Sequence, residues 1–165
     1  MYSTSDHAWM YDVFISFRGN DTRNNFVSHL YATLIHSGIR TFIDNEELRK
    51  GKELGPELER AIEGSTISIV VLSQYYADSK WCLNELVHIM DCHKINGQLV
   101  IPIFYHVDPS DVRNLRGAFG EGFYFSANKI FSHFGVQREE VLVPKWKRAL
   151  TQVVDLSGWD ANNFR

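Results

Sequence analysis

Four short runs of β-branched and aromatic residues decide most of what this chain can fold into. They read YDVFISF (11–17), IRTFID (39–44), TISIVVLS (66–73) and LVIPIFY (99–105). Each run is almost continuously apolar, which is typical of strands that helices cover on both faces of a parallel sheet. Helical patterns separate the runs, so the order β-α-β-α-β-α-β predicts an α/β domain with a parallel sheet.

Helical periodicity predicts four main helices between and after these runs. Their approximate bounds are 24–36, 56–63, 79–90 and 145–156. Pro56 lies in the first turn of the second helix and Gly64 ends it, as is common at helix termini. The pattern shows no fifth strand.

Size and charge narrow the possible classes of protein. A chain of 165 residues has the length of one domain with a substantial core. Its 44% apolar and 22% charged residues indicate a soluble globular protein. The net charge of −3 gives no overall positive field that would recruit nucleic acid or anionic lipid, although a local basic face would not show in this total.

Cysteine usage and the N-terminus predict an intracellular protein. Cys82 and Cys92 lie ten residues apart in one predicted helix, about 15 Å along its axis, which exceeds the reach of a disulfide. Together with His93 they lack the spacing of zinc ligands, so no metal site is predicted. The chain shows no signal peptide and no apolar run of about 20 residues, so we expect a cytoplasmic location, with the nucleus as the alternative.

Two loops at the carboxyl ends of the strands, where open parallel sheets bind ligands, carry candidate site residues. The loop SFRGNDTRNN places Arg18, Gly19 and Arg23 near a helix N-terminus, where backbone N–H groups and guanidinium groups suit a phosphate. A charged loop in solvent is the alternative. The loop at 44–55 is long, charged and punctuated by glycine, which suits either a mobile lid or a plain surface loop.

Glu85 is the one carboxylate in the apolar stretch SKWCLNELVHIM. Ser79 or Asp78 would cap this helix, which places Trp81 in the first turn and Glu85 one turn later on the same side. Glu85 would then face the same crevice as the Arg18 loop. It is either a catalytic acid that an aromatic wall partly shields from water or an ordinary glutamate in solvent.

Other catalytic patterns are missing from the sequence. The third strand ends VVLSQYY, without the aspartate that a phospho-receiver domain needs, and neither GxxxxGK[ST] nor GxSxG occurs.

His29 shares its helix face with small or polar residues such as Ser28 and Ala32. That face suits either contact with another helix or exposure to solvent.

Several long segments resemble the Toll/interleukin receptor (TIR) domain in its plant immune-receptor form. They read YDVFISFRGNDTR, SHLYATL, IRTFIDNEELRKGKEL, AIEGS, SIVVLSQYYADSKWCLNEL and PIFYHVDPSDVR. The resemblance runs from about Tyr11 to Trp159, which implies a domain at 11–160 with an N-terminal extension (1–10) and a C-terminal tail (161–165). It also implies a flavodoxin-like fold with five parallel strands and helices on both faces.

The resemblance implies an enzyme. Plant TIR domains of this kind cleave NAD⁺ or NADP⁺ to nicotinamide and ADP-ribose products, with the dinucleotide as substrate and no permanently bound cofactor. Their catalytic glutamate lies in the motif S-x-W-C-L-x-E-L, which matches Glu85 here. By resemblance, Glu85 contacts the ribose hydroxyls and stabilises an oxocarbenium-like transition state.

The resemblance also implies a substrate pocket. Its residues come from the F-R-G loop, the glutamate motif and the lid around Arg49, Lys50 and Gly51. Arg23 is added because it lies in the loop that suits a phosphate. The predicted substrate-binding residues are therefore Phe17, Arg18, Gly19, Arg23, Ser79, Trp81 and Lys50.

Self-association is implied as the switch for activity. The family's Ser-His pair on the first helix matches Ser28 and His29, and the last helix, with Lys145 and Trp146, is expected to contribute to the same kind of packing. The expected partners are further copies of this domain or other TIR domains. A non-catalytic scaffold that signals through such contacts is the alternative, and the net charge gives little support to a nucleic-acid partner.

Three residues depart from the family pattern. Lys80 places a charge within the S-x-W segment, and Leu54 replaces a more usual isoleucine in the lid. Pro144 is expected to delay the start of the last helix to Lys145.

Overall fold

A computed structural model of the chain describes residues 9–19, 26–44, 55–156 and 159–160. Within these ranges one parallel sheet has the strand order β2-β1-β3-β4-β5. The strands are β1 (Tyr11–Ser16), β2 (Thr41–Ile43), β3 (Ser65–Ser73), β4 (Leu99–Tyr105) and β5 (Trp159–Asp160). The predicted parallel α/β sheet is confirmed. The fifth strand that the resemblance implied is β5, which is only two residues long.

Helices connect and follow the strands. They are α1 (Ser28–His36), α2 (Pro56–Glu63), α3 (Lys80–Asn96), α4 (Pro109–Asn114), α5 (Gly117–Phe134) and α6 (Val136–Asp155), with a 3₁₀ turn at Tyr76–Asp78. The bounds of α2 agree with the prediction. Over the ranges that the structure covers, no helix combines the length and the apolar character needed to cross a bilayer.

The two faces of the sheet pack against different helices. On β3, Val70 and Leu72 belong to a large buried cluster, whereas Ile69 and Val71 belong to a smaller one. This alternation is expected because successive side chains of a strand point to opposite faces. The large cluster includes residues of α2, α3, α5 and α6, and Val27, just before α1, lies in the smaller cluster. Helices α1 and α6 therefore lie on opposite faces of the sheet.

The last helix corrects a prediction. It runs continuously from Val136 to Asp155 and contains Pro144, instead of starting at Lys145. A proline inside a helix removes one backbone N–H donor and disturbs the preceding turn. Here Leu142 and Val143 pack against the large cluster, which holds the turn before the proline in helical form. The burial of these side chains offsets the missing hydrogen bond.

The first helix is shorter than predicted within the described residues. Its α-helical part begins at Ser28, after a wider π-type turn at Phe26 and Val27. The predicted start at residue 24 lies outside the described residues.

Candidate active site

The carboxyl ends of β1 and β3 lie side by side in the middle of the sheet. From β1 the chain crosses to β2 on one side, whereas β3 is followed by β4 on the other. A crevice opens at such a switch point in parallel sheets. The segments that leave these two strands carry the predicted residues Phe17, Arg18 and Gly19 after β1 and Ser79 before α3.

Ser79 caps helix α3. Its backbone is extended, and its Oγ accepts a hydrogen bond of 3.3 Å from the backbone N–H of Cys82. Ser79 is only 4% exposed, so this cap lies inside the protein. Of the two residues that the sequence offered as caps, Ser79 takes the role and Asp78 does not.

Asp78 instead holds Arg18. The Nε atom of Arg18 donates a hydrogen bond of 2.9 Å to Oδ1 of Asp78. Both side chains are mostly shielded from solvent, which reduces the screening of this ion pair. The pair joins the loop after β1 to the 3₁₀ turn before α3, so it fixes the guanidinium group between these two segments.

Tyr76 forms a second bridge between the same two segments. It is fully buried, and its hydroxyl lies 2.8 Å from Oγ of Ser16 and donates to the carbonyl of Cys82 at 3.1 Å. The thiol of Cys82 donates in turn to the carbonyl of Phe17 at 3.5 Å. The end of β1 and the first turn of α3 are therefore tied together by buried polar contacts.

Helix α5 packs closely against the 3₁₀ turn. Ser126 donates a hydrogen bond of 2.6 Å from its Oγ to the carbonyl of Ala77. A Cβ atom added at Gly122 would lie 3.2 Å from the backbone nitrogen of Asp78. That distance is shorter than ordinary van der Waals contact, so glycine permits this approach of the helix to the turn.

Glu85 lies in α3 one turn after Trp81 and is 4% exposed. Its burial excludes the interpretation as an ordinary solvent-facing glutamate. A carboxylate is rarely buried this far from water unless it is paired or hydrogen-bonded, because removing its charge from water is costly.

Trp81 and Lys80 form the outer part of the site. The Nζ atom of Lys80 lies 4.7 Å from the centre of the Trp81 ring and 5.8 Å from that of Phe134. Both distances suit a cation–π interaction. The charge of Lys80, which is unusual for the motif, is thus held between two aromatic rings next to the candidate site.

Arg23 and Lys50 lie outside the described residues, as do the other predicted lid residues Arg49, Gly51 and Leu54. Of the seven predicted substrate-binding residues, the structure places Phe17, Arg18, Gly19, Ser79 and Trp81 in the region between β1 and α3.

The cysteines are buried structural residues. Cys82 and Cys92 are both free thiols, which confirms the predicted lack of a disulfide between them. Burial raises the pKa of Cys92 to about 11, and the carboxylates of Glu63 and Asp91 add to this effect. Such a thiol is poorly reactive at neutral pH.

Across the described ranges, no three histidine, cysteine or acidic side chains come together as a metal site requires.

The residues predicted for self-association do not share one surface. Ser28 and His29 are exposed on α1, whereas Lys145 is exposed on α6, on the opposite face of the sheet. Trp146 is fully buried, and its Nε1 donates a hydrogen bond of 2.9 Å to Oδ1 of Asn84. The prediction of Trp146 as an interface residue is therefore wrong, because its side chain belongs to the core.

The sequence analysis missed Tyr76 and the role of Asp78. Both lie in the segment YYADS just before the glutamate motif, so their position alone marked them as neighbours of the site. Their partners Ser16 and Arg18 are 60 residues away in sequence, and only the fold shows these pairs.

Comparison with known proteins gives consistent matches. A family model described as TIR domain matches residues 10–165. The disease resistance protein RUN1 of Vitis rotundifolia is 51% identical over 152 residues, which cover 90% of this chain and 11% of that protein. The TMV resistance protein N of Nicotiana glutinosa is 48% identical over 157 residues, which cover 94% of this chain and 13% of that protein.

A solved structure is similar over nearly the whole chain. The TIR domains in the activated Roq1 resistosome, which directly recognises the pathogen effector XopQ, superpose with a TM-score of 0.80 at 45% identity. The match covers 93% of this chain and 89% of that one. The chain thus matches nearly the whole of that TIR domain and spans only about a tenth of the length of the curated relatives.

Proposed function

The chain belongs to the TIR domain family of plant disease resistance proteins, and on this premise we propose that it is an NAD⁺ nucleosidase of plant immune signalling. The proposed substrates are NAD⁺ and NADP⁺, and the products are nicotinamide and ADP-ribose or its cyclic variants. The observation that carries the proposal is the buried carboxylate of Glu85 one turn after Trp81, in the helix whose first turn is tied to the end of β1.

The reaction breaks the bond between the nicotinamide nitrogen and the anomeric carbon of the ribose. The bonding electrons leave with nicotinamide, which becomes neutral, and positive charge develops on the ribose. The carboxylate of Glu85 stabilises this charge and binds the ribose hydroxyls. Water, or a second nucleophilic atom of the substrate, then bonds to the anomeric carbon and loses a proton. A fixed negative charge in a site shielded from water is effective here, because it need not reorganise during the reaction.

The remaining residues bind and orient the dinucleotide. Arg18 offers a cation for the diphosphate, and its contact with Asp78 keeps the guanidinium in place. Trp81 provides an aromatic surface for a base or the nicotinamide ring. Phe17, Gly19 and Ser79 shape the wall between β1 and α3, and Arg23 and Lys50 are the remaining residues proposed from the sequence to bind the substrate.

The decisive experiment measures NAD⁺ consumption by the purified domain at high concentration with a crowding agent. Glu85→Gln keeps the size of the side chain and removes its charge, so we expect turnover to be lost while the circular dichroism spectrum is unchanged. Glu121→Gln on the exposed side of α5 is the matched control and should retain wild-type turnover. Full turnover by Glu85→Gln would remove Glu85 from the proposed mechanism.

A non-catalytic scaffold is the second candidate function. The observation that favours it is the match to TIR domains that were solved within an activated assembly. We propose that this chain also associates with copies of itself or with other TIR domains, with the exposed Ser28 and His29 on one contact surface. Light scattering and NAD⁺ turnover on the same samples separate the two candidates. Assembly without any turnover would favour the scaffold.

A further inference from the structure

A pocket of about 130 Å³ lies between α3 and α6, and none of its lining residues belongs to the candidate active site. Its floor is apolar: Met90 and Ala149 are buried, and Val87 is half-buried. Its rim consists of polar and charged side chains of both helices. The rim residues are Asp91, Lys94, Lys145, Arg148 and Gln152.

The spacing of these residues shows that the two helices face each other along this pocket. On α3 the lining residues fall at 87, 90, 91 and 94, and on α6 at 145, 148, 149 and 152. Both sets have the spacing i, i+3, i+4, i+7, which is one face of a helix over two turns. Each lining stretch is therefore only about 10 Å long.

The charge at the rim is concentrated and positive. Lys94, Lys145 and Arg148 contribute three cations, whereas Asp91 contributes one carboxylate. Among the described residues, none of these four side chains forms an ion pair within 4 Å. The pocket thus gathers a local charge of 3 − 1 = +2 in a chain whose net charge is −3.

We propose that this pocket binds a small multivalent phosphate, such as inorganic pyrophosphate or the diphosphate of a free nucleotide. Three converging cations, one of them a guanidinium with fork geometry, suit phosphate oxygens. The amide of Gln152 adds a neutral donor. The short pocket favours a compact anion over an extended polymer, because a duplex or a peptide would need a longer charged track.

The test is a titration of the ¹⁵N-labelled protein with inorganic pyrophosphate at constant ionic strength, followed by NMR. This readout does not depend on NAD⁺ cleavage, so its result is separate from that of the Glu85 experiment. We expect saturable shifts of the Lys94 and Arg148 amides. A second titration with ADP shows whether a nucleotide can supply the diphosphate.

Variants locate the binding within the pocket, and all of them change exposed side chains, so the fold should be retained. Lys145→Gln and Arg148→Gln should each weaken binding about ten-fold, the effect of one lost charge-assisted hydrogen bond. Asp91→Asn should strengthen binding because it removes the opposing charge. Lys147→Gln, exposed on the same helix but outside the pocket, should change nothing.

Two results would overturn the proposal. Shifts that never saturate would show that pyrophosphate has no defined site on the protein. An equal loss of affinity in Lys147→Gln and Arg148→Gln would show that the anion is held by diffuse surface charge and not by the pocket.

Discussion

The buried bridge at Tyr76 gives a prediction whose size follows from the structure. Tyr76→Phe removes only the hydroxyl, which contacts Ser16 Oγ at 2.8 Å and the Cys82 carbonyl at 3.1 Å. Ser16 is fully buried and would lose this partner, which costs about 1–3 kcal/mol. The Cys82 carbonyl lies in α3 and keeps its place in the helical hydrogen-bond pattern. We therefore expect a loss of about 2 kcal/mol in the free energy of unfolding.

Urea denaturation at neutral pH measures this loss, and thermal unfolding should show a decrease of about 4–8 °C in Tm. The matched control is Tyr124→Phe, because Tyr124 is 48% exposed on α5. Its variant should stay within about 0.5 kcal/mol of the wild type. The comparison separates loss of the buried bridge from a general effect of replacing tyrosine.

A double-mutant cycle with Ser16→Ala tests the reasoning directly. Ser16→Ala alone leaves the Tyr76 hydroxyl bonded to Cys82, so its cost should be about 1 kcal/mol. Once both hydroxyls are gone, no buried group is left without its partner, and the double variant should cost about 2 kcal/mol, less than the sum of the single changes. Strictly additive losses would show that the 2.8 Å contact contributes no coupling, and would refute the argument.

Three further predictions concern other parts of the fold. His29→Ala should weaken self-association, measured by light scattering, and should leave the free energy of unfolding unchanged. The control His36→Ala on the same helix should change neither quantity. Because the pKa of Cys92 is raised to about 11 from 9.0, the folded protein holds this proton more tightly than the unfolded chain, so stability should fall as pH rises from about 9 to 11. In urea denaturation Cys92→Ala should lose less stability than the wild type over that interval. Trp146→Phe should cost about 1–3 kcal/mol in the same assay because Asn84 loses its donor, and a cost near zero would contradict the core role of Trp146.

The sequence predicted the elements with strong periodicity and missed features that depend on tertiary packing. Apolar runs located four strands because each is longer than two residues, whereas β5 is too short to form a pattern. Trp146, Ala149, Leu150 and Val153 recur at helical spacing in α6, but the family resemblance assigned the tryptophan to an interface. The structure shows that this stripe is buried. Because of Pro144, the sequence analysis predicted that the last helix starts at Lys145. That prediction was wrong because the sequence does not show how Leu142 and Val143 pack against the core before the proline.

The sequence predicted which residues of the glutamate motif and the Arg18 loop come near each other, but not the contacts that connect these two segments. Glu85, Trp81 and the Ser79 cap follow from one short motif, because all lie within two turns of a single helix. The contacts of Arg18 with Asp78 and of Ser16 with Tyr76 join segments 60 residues apart. No local pattern can predict such pairs, because they depend on the strand order that brings β1 beside β3.

The close approach of α5 to the 3₁₀ turn means that a residue outside the site can alter it. A methyl group at Gly122 would force Asp78 to move by a few tenths of an ångström, and Asp78 holds Arg18. Two homologues could then share every residue of the pocket and still differ in how they orient the substrate. When the activity of such domains is inferred from matched motifs alone, the residue at this position of α5 must be compared as well.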